Sequence, residues 1–188
     1  MIAFKEWARV CRALEHGEQV LMFRKGGIHE GREGFSFKHE AFYLFPTHFH
    51  SKAEHLKVQD GVSQPEWKIG DEVEITSFAH LEWARTLTDW QQVCQLDDYH
   101  IYTEKCLRER FDWTFKELSG QSIHCALARV VRLDVPHRFR YEKSHGGCRS
   151  WVEIPERSNP ADKWAGEQVI DPVMFGKINA DVHLRLGI

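Results

Sequence analysis

The sequence lacks the features of a membrane-spanning or secreted protein. No stretch approaches the roughly 20 apolar residues that a transmembrane helix needs, and the N-terminal segment MIAFKEWARVCRALEHG carries charges where a signal peptide has an apolar run. The 5 cysteines are odd in number and form no Cys-x-x-Cys pair, so they predict reduced thiols, mostly in the core. We therefore expect a cytoplasmic protein that does not associate with membranes.

A strong excess of charge of one sign is also missing. The 188 residues carry a formal net charge of −3, so the field of the whole chain does not attract nucleic acid or an anionic membrane. Any polyanion must then be held by a local patch of cations. Hydrophobic residues make up 42% and aromatic residues 12% of the chain, which predicts a folded domain rather than a disordered one.

Known cofactor motifs are absent as well. The chain contains neither the Gly-Lys-Ser/Thr of a P-loop nor the Gly-x-Gly-x-x-Gly of a dinucleotide-binding turn. No internal repeat and no low-complexity tract is visible. We therefore predict no cofactor.

Apolar periodicity predicts the secondary structure. Phe4, Trp7, Cys11 and Leu14 recur at spacings of three and four, which predicts a helix over 3–15 that Gly17 ends. Apolar or alternating runs bounded by glycine or proline predict strands, and residues with N-cap character predict two short helices. The predicted strands are 18–25, 41–45, 67–76, 123–135 (closed by Pro136) and 150–154, and the predicted helices are 88–96 (opened by Thr88) and 102–111 (opened by Thr103).

This order lacks the regular alternation of strand and helix that builds a doubly wound parallel sheet. It predicts an α+β fold with a mostly antiparallel sheet or small β-barrel, an N-terminal helix and flanking helices. We expect residues 1–155 to form one domain. Residues 156–188, rich in Pro, Asn, Asp and Gly, are expected to be a C-terminal tail packed on that domain or extending from it, with one helical turn near 173–178.

Two clusters combine cations with residues suited to nucleic acid. In RKGGIHEGR (24–32) cations stand beside glycines, whose backbone amides can approach a phosphate closely. In KSHGGCRSW (143–151) a cation and an indole could face a base. A glycine-rich hairpin with solvated charges explains the first cluster about as well. The candidate nucleic-acid-binding residues are Arg24, Lys25, Gly26, Gly27, Arg32, Lys38, Arg149 and Trp151.

The second cluster also holds His145 and Cys148. An imidazole beside a thiol can lower its pKa and make it a nucleophile. A tight turn with a buried thiol is the interpretation we favour, because free cysteine is among the most buried residue types.

Histidines offer an alternative chemistry. His48 and His50 lie two apart after a predicted strand, so both side chains can point the same way and bind one metal ion. His29 and His55 are possible further ligands, with Glu30 or Glu54 as general base. Surface histidines at the end of a strand account for the same pattern, and we predict no metal site.

Glu66-Trp67-Lys68 has the Glu-x-Lys spacing of metal-dependent nucleases, with Asp60 upstream. In such nucleases this motif lies on a buried strand. Here Pro65 and Gly70 bracket it, which favours a turn.

Several segments together resemble a bacterial family known only as a domain of unknown function, DUF1802. The resemblance spans roughly residues 3–155 and implies kinship without supplying an activity. It is carried by RKGGIHE, FYLFPTHFH, ERF near 109–111, VVRLDVP and GGCRSWVEIPE.

A weaker resemblance is to the PUA-like superfamily, including the ASCH domains, which are small β-barrels that bind RNA or modified bases. Those domains carry Gly-x-Lys-x-x-Glu-x-Arg after an N-terminal helix. Here Gly17 and Arg24 match that pattern, whereas Gln19 and Met22 stand at its lysine and glutamate positions. The resemblance implies a barrel-like fold with RNA or nucleotide as partner.

The leading hypothesis is therefore a nucleic-acid or nucleotide-binding module of PUA-like type, with RNA, DNA or a nucleotide as its partner. The alternative is a metal-dependent hydrolase or nuclease that uses His48, His50 and nearby carboxylates. A third possibility is an interaction subunit that acts only through a partner protein. Oligomeric state is left open.

Overall fold

The computed structural model describes residues 1–25, 35–48, 53–58, 65–113, 120–157 and 165–188. Within these ranges the fold is α+β, with a mostly antiparallel sheet and helices flanking it, which confirms the predicted class. The strands are β1 (Ile2–Trp7), β2 (Leu21–Lys25), β3 (Ala41–Thr47), β4 (Glu72–Leu87), β5 (Ile123–Arg140), β6 (Trp151–Glu153) and β7 (Gly166–Gln168). The helices are α1 (Ala8–Glu15), α2 (Trp90–Cys94), α3 (Glu104–Asp112) and α4 (Pro172–Leu186).

The sheet has the strand order β2-β5-β4-β3-β1-β6, and β7 pairs with β5. All these pairs are antiparallel except β1 with β3, which run parallel. The long strands β4 and β5 pair along most of their lengths and form the centre of the sheet. Among the described residues the sheet is open, so of the two predicted arrangements the antiparallel sheet is present and the closed barrel is not.

The N-terminal segment differs from the prediction. The helix expected over 3–15 begins only at Ala8, because residues 2–7 form β1. Strands β3 and β6 pair with its two edges. Ala3 and Phe4 are consecutive, so their side chains point to opposite faces, and both are fully buried, so both faces are covered as well. Sheet pairing across distant parts of the chain has therefore overridden the helical spacing of the apolar residues. Gly17 follows α1 with a φ of +72°, as expected for a glycine that ends a helix.

Strand β5 continues through Pro136, where the sequence predicted its end. Ile75 pairs with His137 and Ser77 pairs with Arg132, so the ladder between β4 and β5 is interrupted around Pro136. Proline has no N–H to donate and is tolerated in such a bulge. The bulge keeps the strand continuous and redirects the side chains on either side of it.

The flanking helices agree more closely with the sequence. Thr103 caps α3 as predicted, and its hydroxyl accepts from the Cys106 N–H. Helix α2 is capped by Asp89 rather than Thr88, since the Asp89 carboxylate accepts from Gln91 N. The strand predicted over 67–76 begins at Glu72 and extends to Leu87.

The buried apolar side chains form two clusters. Alternate residues of β3 go to different clusters, Phe42 and Leu44 to the larger and Tyr43 and Phe45 to the smaller, as the period of a strand requires. Helix α1 packs over β3 and contributes Val10 and other residues to the larger cluster.

Helix α4 is 15 residues long, where the sequence analysis expected one turn. Asp171 caps it and Gly187 ends it with a φ of +69°. Phe175 and Val182 are buried in the larger cluster, so this helix is packed against the sheet domain. None of the helices in the described ranges is long and apolar enough to span a membrane.

Candidate functional site

A cleft of about 730 Å³ opens where β1 and β3 end. The segment 65–68 forms part of its wall, and the turn that follows β5 forms another part. Residues from five separate stretches of the chain therefore meet at one place. The lining includes the charged, aromatic and thiol side chains of Lys5, Glu6, Trp7, Arg24, His48, Glu66, Trp67, Lys68, Tyr141, Cys148 and Arg149.

A buried ion pair lies among the residues that line the cleft. Arg24 Nη1 donates to Glu6 Oε2 at 2.6 Å, and Arg24 Nη2 donates to the carbonyl of Lys5. Glu6 is 1% exposed, and its Oε1 accepts from the backbone N–H of Trp7 at 2.8 Å. The Arg24 guanidinium also lies 4.3 Å from the centre of the Phe4 ring. These contacts fix Arg24 in one orientation and compensate its burial.

Three further cations line the cleft. Lys5 Nζ donates to the carbonyls of His145 at 2.9 Å and Gly147 at 2.7 Å. Arg149 is exposed, and its Nη2 donates to the Ser144 carbonyl at 2.9 Å. Lys68 is exposed on the segment before β4. Carbonyls orient a cation without cancelling its charge.

The acidic groups of the cleft only partly offset these cations. Glu6 is engaged by Arg24, which leaves Glu66 as the other carboxylate among the described lining residues. Glu66 is exposed and lies 3.8 Å from His48 Nε2. The cleft therefore carries a net positive charge although the whole chain is slightly negative.

Aromatic rings supply the apolar surface of the cleft. Trp67 and Tyr141 lie with their planes 22° apart and their centres 6.4 Å apart, and Trp67 Nε1 donates to the Pro46 carbonyl at 2.8 Å. Trp7 is partly exposed, with the Arg110 guanidinium 4.4 Å from its ring centre. Fixed rings beside cations are the elements from which stacking sites for bases are built.

The structure separates the residues that the sequence analysis grouped as nucleic-acid contacts. Arg24 and Arg149 both line the cleft. Lys25 lies with its Nζ 5.4 Å from the centre of the Trp113 ring, and Lys38 is exposed on the segment before β3. Gly26, Gly27 and Arg32 lie outside the described residues.

Trp151 lies apart from the cleft lining. Its ring centre is 4.8 Å from that of Phe4 and 5.0 Å from that of Phe42, and the His39 ring approaches it edge-on at 4.7 Å. Its Nε1 donates to the Ser36 carbonyl. Trp151 thus anchors the edge strand β6 to the larger core cluster, while Arg149, two residues earlier, points into the cleft.

Sequence reasoning assigned no binding role to Lys5, Glu6, Trp7 or Tyr141, and it considered Trp67 and Lys68 only within the Glu-x-Lys motif. Lys5, Glu6 and Trp7 were assigned to a helix that does not exist at those positions. In AFKEW two apolar residues are followed by two charged residues and a tryptophan, so the local pattern contains no period-two alternation that would have indicated the strand.

The histidine alternative finds little support in the described part of the chain. His48 lines the cleft near Glu66, but His50, His29 and Glu30 lie outside the described residues. Glu54 pairs with Lys105 at 2.6 Å, and His55 pairs with Glu109 at 3.1 Å. Within the described ranges no group of three or more His, Cys, Asp or Glu side chains is placed to hold a metal ion.

The Glu-x-Lys motif lies off the sheet. Glu66, Trp67 and Lys68 precede β4 and its Gly70 turn, as the bracketing by Pro65 and Gly70 predicted. Asp60, the upstream carboxylate of that hypothesis, lies outside the described residues. Both Glu66 and Lys68 are exposed.

Cys148 and His145 are arranged differently from the expected turn. Cys148 is exposed on the cleft, so the expectation of a buried thiol is wrong. His145 is buried, and its Nδ1 accepts from the Glu142 N–H at 2.9 Å. Burial lowers the pKa of His145, which favours a neutral ring that serves as a structural hydrogen-bond acceptor.

The two positions where the sequence departs from the ASCH pattern lie in the core. Met22 is fully buried. Gln19 is also buried, and it donates to the Leu21 carbonyl and accepts from the Ile101 N–H. Both residues stabilise β2 and its surroundings and take no part in the cleft.

Solved structures with partial likeness to this chain are ASCH proteins from Zymomonas mobilis. One is 11% identical with a TM-score of 0.46, over 82% of this chain and 87% of that one. A point mutant of the same protein is 12% identical with a TM-score of 0.42, over 82% of this chain and 90% of that one. No curated protein matches the sequence.

The comparison with protein families gives a firmer result. The model of a domain of unknown function, DUF1802, matches residues 3–180. This match includes β1 at one end and most of α4 at the other, so it extends beyond the segment 3–155 on which the resemblance was first based. The chain belongs to the DUF1802 family.

Proposed function

We propose that the cleft binds nucleic acid or a nucleotide. The observation that carries this proposal is the convergence of Lys5, Arg24 and Arg149 with the rings of Trp67 and Tyr141 around one cleft of about 730 Å³. Cations neutralise phosphates and aromatic faces stack on bases, and the two together are typical of sites for single-stranded nucleic acid. The volume is in the range of ordinary ligand sites.

The arrangement assigns different tasks to the cations. Arg149 is exposed, and within the described residues its side chain is held by a backbone carbonyl alone, so it can turn toward a phosphate. Arg24 is fixed by Glu6 and by the Lys5 carbonyl, so it acts as a rigid donor among the lining residues. A pre-positioned guanidinium costs little conformational entropy when a ligand binds.

In this proposal the rings of Trp67 and Tyr141 stack on the base. Their near-parallel rings are partly exposed at the cleft, whereas the ring of Trp151 packs on Phe4 and Phe42. Predicted phosphate contacts by Lys25, Gly26, Gly27, Arg32 and Lys38 remain part of the proposal on sequence grounds. A cytoplasmic location likewise remains a sequence-based prediction.

The test is a fluorescence anisotropy titration of labelled single-stranded RNA, single-stranded DNA and duplex at several salt concentrations. The variant is Arg149→Gln, and the matched control is Arg85→Gln, an exposed arginine of β4 outside the cleft lining. We expect Arg149→Gln to weaken binding three- to tenfold. The slope of log K against log salt should become shallower by about 0.7, the value for one lost phosphate contact on a single strand.

The control should bind within twofold of the unmodified protein. Equal affinities for Arg149→Gln and Arg85→Gln would contradict the assignment of the cleft. Binding that does not change with salt would contradict phosphate recognition altogether.

A further inference from the structure

A second hollow, of about 500 Å³, lies between helix α1 and the sheet. We call it the α1 groove. It is lined by Arg12, Glu15 and His16 from the helix, by Ser77 from β4 and by Arg132 from β5. None of these residues belongs to the cleft.

Local structure explains why these side chains meet. Arg12, Glu15 and His16 are spaced three and four apart, so they lie on one face at the C-terminal end of α1. Arg132 pairs with Ser77 directly beside the bulge that contains Pro136. Arg132 of the central sheet therefore faces the C-terminal end of α1, where its Nη2 donates to the Glu15 carbonyl.

Neither arginine of the α1 groove forms an ion pair with a carboxylate in the described part of the chain, unlike two other arginines of β5. Arg129 pairs with Glu82 and Arg138 pairs with Glu74. Arg132 instead donates to the backbone carbonyl of Glu15 at 3.0 Å.

Arg12 has no ion pair with a carboxylate among the described residues. Glu15 is the acidic lining residue, and Glu167 of β7 faces Arg132 in the register of the sheet. The groove thus combines two arginines and a histidine with one lining carboxylate. That composition favours an anion.

The α1 groove and the cleft lie on either side of the same strand end. Thr47 of β3 lines the cleft, and its neighbour Pro46 lines the groove. Trp7 at the end of β1 lines the cleft, and Ala8 at the start of α1 lines the groove. Consecutive residues of a strand point to opposite faces, so a ligand that occupies both sites must bend around this end of the sheet.

We propose that the α1 groove binds the phosphodiester backbone of a single strand whose neighbouring nucleotide occupies the cleft. This inference rests on the proposed function and specifies its ligand as a flexible polynucleotide longer than a mononucleotide. A duplex is excluded by its stiffness, because its persistence length of roughly 150 base pairs does not allow a turn around one strand end at low cost. Arg12 and Arg132 supply the phosphate contacts.

The experiment compares ligands of different length on variants of each site. The ligands are a labelled mononucleotide, a 12-nucleotide single strand of RNA or DNA, and a 12-base-pair duplex. The groove variants are Arg12→Gln and Arg132→Gln, with Arg132→Lys as the charge-conserving variant. The cleft variant is Arg149→Gln, and the control is Arg85→Gln.

We expect Arg12→Gln and Arg132→Gln each to weaken binding of the 12-nucleotide strand three- to tenfold. Each should also make the slope of log K against log salt shallower by about 0.7. The affinity of these two variants for the mononucleotide should stay within twofold of that of the unmodified protein. Arg149→Gln should weaken binding of both the mononucleotide and the 12-nucleotide strand. Arg132→Lys should retain most of the affinity for the longer strand. Arg12 is exposed and does not contribute to the core, so its variant remains informative if loss of the Arg132 contact to α1 impairs folding.

The outcomes separate the two proposals. If Arg149→Gln weakens binding of every ligand and the groove variants weaken binding of none, the cleft is the binding site and the groove inference is wrong. Equal affinity for the duplex and the single strand would also overturn the inference. If neither a mononucleotide nor a 12-nucleotide strand binds, the proposed function fails and the groove inference fails with it.

Discussion

Glu6 connects the stability of the protein with the candidate site. Its carboxylate is almost fully buried, yet both oxygens are used, one by the Trp7 N–H and the other by Arg24. Through these bonds it holds in place the Arg24 guanidinium and the backbone of Trp7, two residues that line the cleft. The sequence alone did not reveal this role, because Glu6 and Arg24 are separated by a helix and become neighbours only when β1 and β2 take their places.

Replacing Glu6 with glutamine should destabilise the protein by about 3 kcal/mol. This is the lower end of the range for breaking a buried ion pair, because the Arg24 side chain retains 13% exposure. The free energy of unfolding in urea measures the effect. The control Glu66→Gln changes a carboxylate that is 72% exposed and should cost less than about 0.5 kcal/mol.

If Glu6→Gln and Glu66→Gln have the same small effect on the free energy of unfolding, Glu6 does not have the structural role assigned to it. If Glu6→Gln lowers stability as expected, ligand affinity should fall as well, since Arg24 loses the partner that orients it.

Among the helices and strands, the sequence predicted best those ends that are set by residues within one turn. Thr103 as the cap of α3 and Gly17 as the end of α1 follow from side-chain and backbone preferences within one turn. β1 and the second half of β5 depend on partners far away in sequence, so local periodicity assigned the first to a helix and ended the second at Pro136. Asp171-Pro172 and Gly187 mark the two ends of helix α4, but the Pro, Asn, Asp and Gly content of residues 156–188 predicted a tail.

Helix α4 should contribute substantially to stability. Phe175 is 2% exposed in the larger core cluster, and the Arg129 guanidinium lies 4.8 Å from its ring centre. Phe175→Ala should therefore cost about 3–5 kcal/mol. Leu184 on the same helix is 78% exposed, so Leu184→Ala serves as the matched control and should change stability by less than about 0.5 kcal/mol.

Urea denaturation of the two variants distinguishes a helix that is packed into the domain from one that lies loosely on it. Equal and small effects of Phe175→Ala and Leu184→Ala would contradict the packed arrangement. The division into a domain over 1–155 and a tail over 156–188 remains a proposal that this measurement also addresses.

For the whole molecule, the sequence predicted the α+β class and the mostly antiparallel sheet but not the cleft. The cleft depends on contacts such as that between Lys5 Nζ and the Gly147 carbonyl, which join residues 142 positions apart. Two of the predicted nucleic-acid contacts, Arg24 and Arg149, nevertheless meet there. Cations beside glycines were the informative pattern, while the aromatic partners could be identified only from the fold.

Binding of a single strand in the cleft is tested most directly by following the tryptophan indole N–H signals by NMR while a short single-stranded oligonucleotide is added. Trp7 and Trp67 line the cleft. Trp83 donates to Asn179 of α4 and Trp90 packs edge-on against Phe111, both outside the cleft lining. Each signal is assigned with the corresponding Trp→Phe variant. We expect the Trp7 and Trp67 signals to shift in a saturable way while those of Trp83 and Trp90 do not. Shifts confined to Trp83 or Trp90, or no shift at high oligonucleotide concentration, would contradict binding in the cleft.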